Sequence, residues 1–106
     1  MLRFIIHYGI HFIVPFLISY FFFKKTFFKT SAILLAAILI DLDHLLAEPV
    51  YDSLRCSIGF HLLHSYIAII AYTLLFYWKK TRIIGLAALL HMLADITDCI
   101  LLAFDL

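Results

Sequence analysis

The chain has 106 residues, 66% apolar and 14% charged, with a mean hydropathy of +1.10, whereas ordinary soluble domains are about 45–50% apolar and about 25% charged. This composition excludes a disordered chain and a disulfide-stapled secreted module, and it argues against a soluble globular domain. A formal net charge of +1 supplies no field for steering nucleic acid or another charged partner.

A helix that crosses a bilayer needs about 20 mostly apolar residues. Four segments qualify, and in chain order they are 4–23, 31–48, 58–78 and 83–104. The first carries His7, His11 and Pro15. Proline has no N–H to give the carbonyl of His11, so a kink is predicted there. This segment is long, is interrupted by histidines and has no small-residue cleavage site, so it reads as a retained span rather than a signal peptide. The second carries Asp41, Asp43 and His44, the third His61 and His64, and the fourth His91, Asp95 and Asp98. The connections, 24–30, 49–57 and 79–82, are short. Residues 1–106 therefore read as one all-α domain, a polytopic up-down bundle of four transmembrane helices.

Lys24, Lys25, Lys29, Lys79, Lys80 and Arg82 fall in the first and third connections, against Arg3 and Arg55 on the opposite side. Basic residues accumulate on the cytoplasmic side. Both termini and the second connection then face outward, as expected for a multi-pass membrane protein. Cys56 and Cys99 lie near that outer face. Oxidation there is open to them, but two small apolar packing residues is the favoured expectation.

The first and third segments carry their ionisable residues near their outer starts, the second and fourth near their outer ends. Ten His and Asp side chains thus share one layer in the outer half of the membrane, with no Lys or Arg inside any segment. Four ionised, unpaired aspartates in a membrane would cost on the order of 10 kcal/mol. Compensation must come from a bound cation, from protonated histidine, or from protons on the carboxyls. Taken singly, each of these histidines reads as a hydrogen-bonded packing residue and each aspartate as a protonated acid; the convergence of ten favours metal or proton handling. The spacing suits ligation. His7 and His11 are i, i+4; His91, Asp95 and Asp98 are i, i+4, i+7; Asp41 with His44, and His61 with His64, are i, i+3. Asp43 faces away from Asp41 at helical spacing and is expected either to orient an imidazole or to reach across to a neighbouring helix. Imidazole with carboxylate suits zinc first, with iron and manganese as alternatives.

The elements Asp41-Leu42-Asp43-His44, His64-Ser65 and His91-x-x-x-Asp95, after an early histidine, resemble those of a bacterial inner-membrane family of metal-dependent hydrolases. A similarity over nearly the whole chain links it to a small bacterial membrane family of unknown function, through His7 to Phe12, Asp41 to His44, Arg55 to Ser65 and His91 to Asp95. The larger family has a histidine followed by Arg-Gly ahead of its His-Ser element. This chain has Gly59 there and an extra histidine at His61, so His64 is the stronger ligand candidate of the third segment.

The resulting expectation is a metal-dependent hydrolase. His7, His11, Asp41, His44, His61, His64, His91 and Asp95 are the candidate ligands for one or two ions, Asp43 or Asp98 the general base, and Arg3 and Arg55 the anion-binding residues. A lipid or lipid-linked phosphoester suits that depth. Its partners would be membrane lipids, and a homodimer is one way for so short a chain to enclose its site. The alternatives are a di-iron oxidoreductase, which the Asp41-x-x-His44 spacing suggests, a metal or proton carrier, and bis-histidine haem binding.

Overall fold

The computed structural model describes residues 2–46, 56, 58–59 and 62–104, apart from the side chains of Asp43 and His44. His61, Arg55 and most of the second connection lie outside the described residues. Within them the chain is helical, without strands, and forms four rods.

The first rod consists of α1 (Leu2–Phe12) and α2 (Val14–Phe22). It is interrupted at Ile13, two residues before Pro15, where the expected carbonyl–amide bond cannot form. Ile13 keeps φ −94° and ψ −46°, and its N–H reaches the Gly9 carbonyl at 2.9 Å, so the rod is interrupted without being severed. A 3₁₀ turn, Lys24–Thr26, leads into α3 (Phe27–Ala36), which starts four residues ahead of the expected segment.

The second segment departs from a single α-helix. After α3 the chain continues as a 3₁₀ run, Ala37–Leu46, although such runs rarely exceed three or four residues. It carries Asp41. With 1.5 Å per α residue and about 2.0 Å per 3₁₀ residue, the 20 residues of this rod extend for about 35 Å.

The third segment departs further. Instead of a helix from residue 58, α4 covers only Tyr66–Tyr77. The Ser65 hydroxyl caps it by accepting the Ala68 N–H at 3.2 Å, and serine favours this role because its side chain competes for backbone N–H groups. A short 3₁₀ turn, Leu62–His64, precedes the cap. The Gly59 N–H donates to the His64 carbonyl at 2.9 Å, with Gly59 at φ +80°, a conformation open to glycine at little cost. His64 therefore lies at the entrance to α4 and not on a helical stripe.

The last rod is α5 (Arg82–Ala103), joined to α4 by residues 78–81. The Thr81 hydroxyl donates to the Leu75 carbonyl at 2.7 Å, and Arg82 donates to the carbonyls of Phe76 and Tyr77 at 3.1 and 3.3 Å. These bonds satisfy carbonyls that the end of α4 leaves without helical partners. α5 is central: α1, α3 and α4 all pack on it, while α2 packs on α3. Its buried small residues, Gly85, Ala87, Ala88 and Ala94, let neighbouring backbones approach. Cys56 and Cys99 form a disulfide, contrary to the expectation of separate packing residues. It ties the segment leading to His64 onto the last turns of α5.

Polarity is inverted relative to a soluble core. His11, Ser19, Thr30, Ser31, His64, His91 and Asp95 are buried, whereas Phe22, Phe28, Leu46, Ile67, Tyr77 and many other large apolar side chains are exposed. Two rods, Leu2–Phe22 and Arg82–Ala103, are long and apolar enough to cross a membrane.

A Cβ at Gly85 would run into the backbone of Phe76, and overpacking of this kind typically costs about 1–3 kcal/mol. Gly85→Leu is expected to lower the unfolding midpoint in detergent, read by helical circular dichroism, while Gly9→Ala, inside α1 with open space around it, is expected to leave it unchanged or raise it by a few degrees, because alanine favours helix over glycine.

Candidate metal centre

α1 and α5 run antiparallel, and their polar stripes meet in register. Arg3 pairs with Asp98, His7 approaches Ala94 and Asp95, and His11 packs edge-on against His91 with ring centroids 4.6 Å apart. The i, i+4 spacing on each helix places these side chains on the shared face.

The inner group is Asp41, His64, His91 and Asp95. His64 is brought in by the turn ahead of the Ser65 cap, and Asp41 by the 3₁₀ run. The four facing atoms are Nε2 of both histidines, Oδ1 of Asp41 and Oδ2 of Asp95. His64 Nε2 lies 3.1 Å from His91 Nε2, 3.3 Å from Asp41 Oδ1 and 2.8 Å from Asp95 Oδ2. His91 Nε2 lies 3.0 Å from Asp41 Oδ1 and 3.2 Å from Asp95 Oδ2. Five of the six edges of a tetrahedron thus measure 2.8–3.3 Å. Ligands at ordinary zinc–nitrogen and zinc–oxygen distances would stand about 3.3 Å apart in a tetrahedral site.

Two of these edges, His64 Nε2 to His91 Nε2 and His91 Nε2 to Asp41 Oδ1, have hydrogen-bond geometry, whereas Asp95 Oδ2 is buried close to both imidazoles with no aligned donor among the described residues.

The outer group is His7, His11 and Asp95. Its three ligand atoms lie within 4.8 Å of one another. His7 Nδ1 is 3.3 Å from the Ala94 carbonyl, a contact that suits donation to the backbone, as ligating histidines commonly do with their outer nitrogen. Both groups have the spacing to hold a metal ion, and Asp95 belongs to both.

The remaining candidates separate from these groups. Arg3 Nε and Nη2 fork onto Oδ1 and Oδ2 of Asp98 at 3.1 and 3.0 Å. Asp98 therefore stands at the end of the α1–α5 seam, engaged by Arg3 and outside both groups. The Asp43 and His44 side chains, His61 and Arg55 lie outside the described residues. The sequence reading missed the Arg3–Asp98 pair, although the i−4 offset of Arg3 from His7 and the i+3 offset of Asp98 from Asp95 extend the same two stripes. It also missed Ser19, Thr30 and Ser31, whose small polar side chains are buried in α2 and α3, which pack together.

This chain belongs to the family of unknown function DUF6122. The family model matches residues 1–102, a span that contains both groups. No curated protein and no solved structure matches the chain.

Removing one inner ligand should be severe, because loss of an outer-shell partner alone costs about 10–100-fold in metal affinity. For a divalent ion held by the inner group, His64→Ala is expected to weaken binding by on the order of 100-fold or more in chelator competition, whereas Thr73→Ala, on the exposed face of α4, is expected to leave it unchanged.

Proposed function

We propose that this protein is an integral-membrane metal-dependent hydrolase acting on a lipid or lipid-linked phosphoester. The observation that carries the reading is the tetrahedral convergence of Asp41, His64, His91 and Asp95. A divalent ion in the adjoining three-ligand group, His7, His11 and Asp95, would keep a position for water and acidify it, the chemistry that ester and phosphoester hydrolysis need. Zinc fits the two imidazoles and two carboxylates; iron and manganese accept the same ligands.

The proposed topology has four membrane-embedded rods. Besides the two long apolar ones, the rod formed by α3 and the 3₁₀ run has the length to cross. α4, at 12 residues, extends for about 18 Å and enters only part of the way as regular helix. Irregular backbone such as the Leu62–His64 turn is tolerated at membrane depth where it is buried in protein or lines a cavity; His64 is fully buried, while Leu62 and Leu63 are exposed. The exposed apolar side chains would face lipid. The lysine-bearing connections support a cytoplasmic position for one end, and the Cys56–Cys99 disulfide supports an oxidising compartment at the other.

The chain's own residues would divide the work. Arg3, steered by Asp98, and Arg55 would hold the anionic headgroup at the outer mouth. The two-point pair with Arg3 occupies Asp98, so the general-base assignment passes to Asp43, on the strength of its position in the sequence.

A second reading is favoured by the shared Asp95, since carboxylate-linked pairs of histidine groups also suit di-iron redox chemistry. Iron content with an optical band that changes on exposure to oxygen would select it over hydrolysis.

Full-length protein purified without a histidine tag is expected to contain a stoichiometric transition metal by elemental analysis. Vesicles carrying lipid-linked phosphoesters should release product in its presence. Chelation should abolish release, zinc should restore it, and His91→Ala should lower it by at least 100-fold. Metal-free protein from metal-replete cells would refute the reading.

A further inference from the structure

We propose that Asp95 is a shared ligand joining two unequal cation sites: a closed one built by Asp41, His64, His91 and Asp95, and an open one built by His7, His11 and Asp95. The inference rests on the metal-binding part of the proposed function and is independent of the hydrolytic part.

Four observations carry it. First, the two oxygens of Asp95 serve different groups. Oδ2 is 2.8 Å from His64 Nε2 and 3.2 Å from His91 Nε2, while Oδ1 lies beside the His7 ring, 3.8 Å from the Nδ1 that contacts the Ala94 carbonyl. A carboxylate in this setting can give one oxygen to each of two ions. Second, His11 is only 8% exposed, and its Nε2 has no hydrogen-bond partner among the described residues. A buried imidazole nitrogen without a partner is costly, and ligation removes that cost. Third, the contact of His7 Nδ1 with the Ala94 carbonyl at 3.3 Å suits the tautomer that leaves Nε2 with its lone pair free for a metal. Fourth, the imidazoles are contiguous. The His11 ring centroid lies 4.6 Å from those of His7 and His91, and His91 lies 5.1 Å from His64. No apolar layer separates the groups.

The inequality follows from ligand count. A four-ligand set encloses its ion, the pattern of structural sites, whereas three protein ligands leave a position for water or substrate. The closed site would fix α5 to the 3₁₀ run and to the entrance of α4, and it would bind more tightly. The open site lies on the α1 side, one turn of helix from Arg3. An anionic group reaching the open ion would meet that guanidinium on the same flank.

The test uses the full chain in detergent, without a histidine tag, and zinc as the probe. Native-sequence protein is expected to bind two zinc ions, with chelator competition resolving a tight and a weak ion at least tenfold apart. The double variant His7→Asn/His11→Asn is expected to keep the tight ion and lose the weak one. His64→Asn should lose the tight one. Asp95→Asn should weaken both by at least tenfold. Helical circular dichroism and monodisperse elution verify folding of each variant. Anomalous scattering from the native-sequence protein, expected to show two peaks flanking Asp95, makes the result independent of any variant. A single zinc ion in the native-sequence protein, or two retained in the His7/His11 variant, would overturn the shared-ligand arrangement and leave the single-site reading standing. No bound zinc would overturn both.

Discussion

The carboxylate of Asp95 sits in the middle of the chain's longest helix, buried among four helical rods, and it needs positive charge close by. The nearby described groups are imidazoles and another carboxylate, Asp41; the one arginine on the α1–α5 seam, Arg3, is forked onto Asp98. Much of the local structure can be read as meeting this requirement. α5 must be central so that Asp95 is reached from α1 on one side and from the approach to α4 on the other. Small residues on α5 make the close approach feasible, and Gly85 makes the tightest one, against the backbone of Phe76. The disulfide anchors the segment that delivers His64.

The irregular pieces of backbone sit next to this requirement. Pro15 interrupts the first rod just beyond His11. The 3₁₀ run extends through Asp41 and shifts its register away from that of an α-helix. The Ser65 cap ends the irregular approach one residue after His64. A regular four-helix bundle would present its polar residues along straight stripes, and stripes on four parallel rods meet poorly at a point. Breaking three of the rods near their polar residues lets the donors converge on the fourth. Long 3₁₀ stretches have poorer hydrogen-bond geometry than α-helix, so this one is a local cost offset by packing and, in the proposed function, by a bound ion.

The exterior follows from the same inversion. Imidazole, carboxylate and hydroxyl groups lie inside and many phenylalanine, leucine and isoleucine side chains outside. In the proposed membrane topology lipid accounts for this, because it removes the penalty for exposed apolar surface and raises the one for exposed charge.

The helical class and the polar stripes of α1 and α5 were legible in the sequence alone, because apolar runs and i, i+4 spacing are local properties of a helix. The sequence placed His7, His11, Asp41, His64, His91 and Asp95 among the candidates, and the structure brings those six together. Its span boundaries assumed uninterrupted α-helix, and a serine cap and a 3₁₀ run override periodicity without changing composition; that is why the third helix starts eight residues late. Tertiary structure alone decided that Cys56 meets Cys99, that Arg3 engages Asp98, and that Asp95 belongs to both ligand groups. Those pairings join residues 43, 95 and up to 88 positions apart. The pairings of Arg3 and of His7 depend on how α1 and α5 lie antiparallel, and that of Cys56 on how the approach to α4 lies on α5; nothing local in the sequence encodes either register.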